Sequence, residues 1–163
     1  MGRIVVTEFV TLDGVFEDPG GSEGTPFGGW AFKADRSEAG DKFKGEELEA
    51  ADAQLLGKVT YEGFAEAWPQ RSGDPFSDKF NEMPKYVFSG TIQSADWNNS
   101  HIISGELAEA VGGLKRQIDG NILVAGSGQL VQGLLQTDLV DELRLMVFPI
   151  VVGQGRRLFD GAP

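Results

Sequence analysis

The sequence predicts one α/β domain built on a mostly parallel sheet with helices on both faces. Three observations predict it. Strand-like and helix-like segments alternate along all 163 residues, the pattern of a sheet whose strands are joined through helices. The segment 121–125 is an apolar, β-branched run of the kind found in a strand covered on both faces, and it opens into Gly126-Ser127-Gly128 before a helical pattern. The length suits a single compact domain, and a hydrophobic content of 40% supplies its core.

The elements follow in order. Residues 3–11, with Ile4, Val5, Val6, Phe9 and Val10, read as the opening strand. Residues 12–29 hold six glycines and two prolines, too many for regular structure, and form a long mobile loop. Loops of this length serve as lids or binding segments. Phe16, Phe27 and, just beyond, Trp30 read either as ligand contacts or as packing against the domain. Residues 34–51 form an amphipathic helix with Phe43 and Leu48 on one side, and Glu46, Glu47 and Glu49 on its solvated face. A short strand at 53–56 and a short helix at 60–68 come next, then a helical piece at 75–83 and strands at 85–89 and 100–103. Leu107, Val111, Leu114 and Ile118 recur on one face of a helix over 107–118. The buried strand 121–125 leads into a helix over 129–136, and a long strand over 142–152 closes the pattern, with Leu143, Leu145 and Val147 alternating. In such sheets ligands collect beyond the carboxyl ends of the strands, so the turns there are the candidate site.

Composition excludes several classes of function. With 14 Lys+Arg against 25 Asp+Glu and a net charge of -11, the chain repels nucleic acid and anionic membranes. It has no cysteine and a single histidine, His101, which removes disulfides, thiolate nucleophiles, cysteine zinc sites and multi-histidine metal clusters, so no metal is expected. Thr7 and Glu8 break the first apolar run, which is therefore neither a signal sequence nor a membrane span. A cytoplasmic protein with a small-molecule substrate is the expectation. A phosphorylated cofactor would need local positive potential from helix N-termini and a few placed cations.

Two turns offer it. Gly57-Lys58-Val59-Thr60 follows a strand and opens a helix, so Thr60 can cap while backbone N–H groups and the Lys58 ammonium face an anion. An ordinary β-to-α turn is the competing reading. Gly126-Ser127-Gly128 repeats the arrangement, with glycines allowing backbone to approach a phosphate. It is not a dinucleotide fingerprint, since Val131 stands where a third glycine belongs, nor a P-loop, nor a hydrolase elbow. A tight structural turn is again the rival. Ser89-Gly90-Thr91 ends another strand and reads as a loop start or an adenosine contact. Asp13-Gly14 is a turn dipeptide at the end of the first strand, and Asp13 and Trp30 are the substrate-side candidates. Arg156 and Arg157 read as surface charge in preference to an anion clamp.

These motifs together resemble the dihydrofolate reductase-like fold, in particular the group related to the reductase domain of bacterial riboflavin biosynthesis. The resemblance is carried by Thr11-Leu12-Asp13-Gly14, by Leu56-Gly57-Lys58-Val59-Thr60-Tyr61-Glu62, by Pro84-Lys85-Tyr86-Val87-Phe88-Ser89, by Val124-Ala125-Gly126-Ser127-Gly128-Gln129-Leu130 and by 141–155, which spans nearly the whole chain. It implies an NADPH-dependent oxidoreductase, with NADH not excluded, acting on a heterocyclic C=N bond or a carbonyl. Gly57, Lys58 and Thr60 on one turn and Gly126, Ser127, Gly128 and Leu130 on the other would embrace the phosphates, with Lys58 at the 2′-phosphate and Ser89 near the adenosine. The resemblance also implies a further strand after 153–159 that this sequence does not show, so a homodimer protecting the exposed edge is expected. The alternative is a non-catalytic module that keeps the fold and binds a small molecule or a partner chain.

Overall fold

A computed structural model describes residues 1–126 and 128–159. Six strands, β1 (Arg3–Thr11), β2 (Ala53–Gly57), β3 (Lys85–Phe88), β4 (Ser100–Ile103), β5 (Asn121–Ala125) and β6 (Val140–Phe148), form one sheet. Their order is β4-β3-β2-β5-β1-β6, and every pairing is parallel. The helices are α1 (Ser37–Glu49), α2 (Lys58–Ala67), α3 (Pro75–Glu82), α4 (Leu107–Gln117) and α5 (Gly128–Leu135), with short 3-10 turns at Trp30–Lys33 and Trp68–Gln70.

Alternation along the strands divides the core in two. Ile4, Val6, Leu55, Ile122 and Val124 pack with Val111 and Leu114 of α4 and with Leu130, Val131 and Leu134 of α5. Val5, Leu56, Val87 and Leu123 face the other way, onto Leu48 of α1, Tyr61 of α2 and Phe80 of α3. The sheet is thus covered on both faces, which is why its central strands read as continuous apolar runs.

The layers fix where a ligand can enter. β2 and β5 are neighbours, yet α2 leaves β2 toward one face and α5 leaves β5 toward the other. The two strands pair only at Ala53–Ile122 and Gln54–Leu123, near their starts. Their carboxyl ends border the crevice of a topological switch point.

Several boundaries shift for local reasons. α2 starts at Lys58, so Thr60 lies in its first turn and does not cap it. α1 starts only at Ser37, which is held in a left-handed conformation with its N–H donating to Asp35 Oδ1 at 2.8 Å. β6 begins at Val140 and ends at Phe148, four residues short of the expected Val152, because Pro149 has no N–H for the ladder. Residues 12–29 contain no helix or strand but are tied down. The Asp18 carboxylate accepts from Glu23 N, Thr25 N and Thr25 Oγ1 at 2.7–3.0 Å, and Val15 forms an isolated bridge with Arg157.

Candidate functional site

The crevice brings the two glycine turns together. A Cβ on Gly126, which has φ 75°, would lie 3.5 Å from Thr60 Oγ1. Residues 66 positions apart in sequence thus meet across the switch point because β2 and β5 are adjacent. Lys58 extends from the first turn of α2 toward the loop after β3, and its ammonium donates to Thr91 Oγ1 at 3.4 Å. Ser89 Oγ lies 3.4 Å from the same hydroxyl and accepts from Thr91 N and Ile92 N, both at 3.1 Å, which shapes the loop. Beside this group opens a cleft of about 600 Å³, lined in part by Lys58, Tyr61, Thr91, Ile92 and Trp97. Glu62, Glu66 and Asp96 also line it, so Lys58 is its one cation among the described residues.

The remaining candidates serve the fold. Leu130 packs in the core between α5 and the sheet. Gly128 begins α5, and a Cβ there would fall 2.6 Å from Phe16 Cε2, so this glycine makes room for an aromatic ring. Ser127 lies outside the described residues. Trp30, expected on the substrate side, is 1% exposed. Its indole N–H donates to Glu17 O at 2.9 Å and its ring meets Phe148 edge-on. A large aromatic with one polar atom is well suited to this buried place. The Asp13 carboxylate accepts from Thr11 Oγ1 at 2.6 Å, Gly153 N at 2.8 Å and Val152 N at 3.3 Å. Those bonds, led by that from Thr11, hold its carboxyl down at about 2. It clasps the end of β1 to the segment after β6.

One reading from sequence changes. Glu47, expected on a solvated helix face, is buried with Lys44 Nζ at 2.6 Å and Arg144 Nη1 at 3.4 Å. Lys44 also donates to Thr7 Oγ1, which places this ionic group against β1. Arg156 and Arg157 are exposed, as expected of surface charge, and pair with Glu17 and Asp13; Arg156 Nη1 would lie 3.8 Å from a Cβ on Gly128.

The residue that the sequence reading missed is Glu8. It lies in β1, 5% exposed, and its Oε1 has no hydrogen-bond partner. Burial drives its pKa up to about 8, against the opposing pull of the Lys44 charge and of the nearby Gly126 backbone. The signal was present: a carboxylate in the middle of an otherwise apolar buried strand is a costly choice. Among the described residues no cluster of potential metal ligands occurs, and no helix is long and apolar enough to cross a membrane.

Comparison with known proteins agrees with this architecture. The sequence matches the RibD C-terminal domain over residues 3–163. It is 30% identical over 162 residues to the uncharacterized protein YyaP of Bacillus subtilis (strain 168), a match covering 96% of this chain and 80% of YyaP. Among solved structures, a putative riboflavin biosynthesis protein from Shewanella sp. PV-4 superposes with a TM-score of 0.69 at 22% identity, covering 96% of this chain and 82% of that one. Dihydrofolate reductase from Enterococcus faecalis, complexed with NADP(H), superposes with a TM-score of 0.59 at 13% identity, covering 96% and 76%. Family match, strand order and crevice agree: the chain belongs to the RibD C-terminal domain family and has the dihydrofolate reductase-like α/β fold.

Proposed function

We propose that this protein is an NAD(P)H-dependent reductase, with NADPH its preferred cofactor, acting on a small heterocyclic C=N or carbonyl compound. The observation that carries the reading is the meeting of the Gly57–Thr60 and Gly126 turns at the switch point. The donor set fits a dinucleotide. Gly126 brings side-chain-free backbone up to Thr60, Ser89 and Thr91 present hydroxyls, and Lys58 brings a cation beside the cleft. Lys58 would hold the 2′-phosphate, the two turns the pyrophosphate and Ser89 the adenosine side. When bound, the dihydronicotinamide supplies the hydride. The chain's part is to orient the acceptor, keep water out and leave a proton source in reach. A dihydrofolate reductase of the same fold with NADP(H) bound supports the reading.

The test is a fluorescence titration with NADPH and NADH, following tryptophan quenching. Saturable micromolar binding of NADPH with weaker NADH is expected; no saturable binding of either would overturn the reading. The second reading, a non-catalytic binding module, is favoured by the exposed aromatics Phe32 and Phe43. It would gain if NADPH failed to bind while both turns stayed folded.

The same proposal includes a cytoplasmic setting and a homodimer. β6 ends the sheet, and Val147 and Val151 are exposed along and beyond it. An open strand edge of this kind recruits another strand, and a second copy is the partner we propose. Light scattering showing a monomer at micromolar concentration would refute the dimer.

A further inference from the structure

We propose that Glu8 links cofactor binding to a proton: its buried carboxyl lies level with Gly126, and a dinucleotide settling on that turn draws a proton from solvent onto the ionised fraction of Glu8. The inference rests on the reductase reading above. In the β1–β5 register Thr7 stands opposite Ala125, which brings Glu8 level with Gly126, the first residue beyond β5. Glu8 is 5% exposed, and its Oε1 is buried without a partner. A carboxylate with one oxygen unsatisfied and no adjacent cation of its own is unfavourable in such a place, whereas a neutral acid needs only modest compensation.

The surrounding charges do not supply that cation. From α1, Lys44 lowers the Glu8 pKa, but its ammonium is committed to Glu47 and Thr7. On β6 the facing residue is Leu145, and the neighbouring Arg144 is engaged by Glu142 and Glu47. α5 and β5 carry no charged side chain. Arg156, near the start of α5, is held by Glu17. Glu8 therefore carries a proton at neutral pH, with a pKa near 8.

A phosphate on the Gly126 turn adds negative charge beside this carboxyl and makes its ionisation harder still. Coupling between sites is reciprocal: the dinucleotide favours the proton on Glu8, and the proton favours the dinucleotide. Below pH 7 binding is indifferent to pH through this group. Above pH 8 it weakens, by at most about tenfold per pH unit.

Calorimetric titration of the intact protein with NADPH, in two buffers of different ionisation enthalpy, reads proton uptake directly. Near pH 8 an uptake of roughly half a proton is expected, vanishing at pH 6. Glu8→Gln, a neutral carboxyl mimic, should bind NADPH as wild type at pH 7 and take up no proton at pH 8. Equal heats in both buffers for wild type, or uptake that survives in Glu8→Gln, would overturn the proposal while leaving the cofactor reading intact. Absence of any NADPH binding at pH 6 would instead remove the cofactor reading and the proposal with it. Carboxyl-carbon NMR of wild type needs no variant: the Glu8 midpoint should lie near 8 and rise with NADP+, and an unmoved midpoint would also overturn the proposal.

Discussion

The ring of Phe16 occupies the space that a side chain at residue 128 would need, with Cε2 and Cζ at 2.6 and 2.7 Å from the position of a Cβ on Gly128. The 12–29 segment and the turn after β5 are therefore built against each other. Gly128→Ala should destabilise the protein by about 1–3 kcal/mol, since Phe16 must shift within a packed core. Denaturant unfolding checks this. The double variant Gly128→Ala with Phe16→Leu should cost less than the sum of the two single changes.

Lys58→Ala should weaken NADPH binding by about 1–2 kcal/mol through loss of a charge-assisted contact, with less effect on NADH. The side chain is exposed and its one bond among the described residues is to Thr91 at 3.4 Å, so the melting temperature should hardly move. Equal loss for both cofactors would remove Lys58 from the 2′-phosphate.

The fold was legible because its strands are covered on both faces. Runs such as Val5-Val6 and Ile122-Leu123-Val124 advertise burial, and the turns at Gly57 and Gly126 advertise strand-to-helix passages. That the two turns meet was legible only through the resemblance, because adjacency of β2 and β5 is a property of topology. Trp30 was misread because an aromatic beside a glycine-rich loop looks the same whether it faces a ligand or Phe148. Glu47 was misread because its neighbours Glu46 and Glu49 are solvated and its partner Arg144 lies 97 residues away. Glu8 was seen only as an interruption of an apolar run.

Glu47→Gln should destabilise by about 3 kcal/mol. Its carboxylate sits with 2% of its side chain exposed between Lys44 and Arg144, and removing the charge leaves two partly buried cations facing each other. Calorimetric unfolding at low and high salt tests this: burial predicts that the difference persists at high salt, unlike that of a surface pair.

Stability should fall as pH rises. The Glu8 pKa is raised from 4.5 to about 8, so the folded state holds a proton that the unfolded chain releases. Its contribution is fully present below about pH 4.5 and is lost as pH climbs to 8, beyond which it levels. Asp13, lowered from 3.8 to about 2, acts in the opposite sense: its contribution is present above 3.8 and lost as pH falls through 2. Urea unfolding of wild type and Glu8→Gln from pH 5 to 9 should show a decline in the wild type that the variant largely lacks. Parallel curves would contradict the assignment.

β1 has a history imposed by strand order. It pairs only with β5 and β6, and Arg3 waits for Asn121, 118 residues later. During synthesis this apolar strand emerges before both of its neighbours, while β2, β3 and β4 can already associate. Such non-local closure slows folding and leaves a sticky segment uncovered. The charge in its midst, Glu8, is ionised in the extended nascent chain and neutral once enclosed. The same side chain that tunes the finished crevice would thus keep the waiting strand soluble, and Glu8→Gln should yield more insoluble protein on expression even where the purified variant is the more stable.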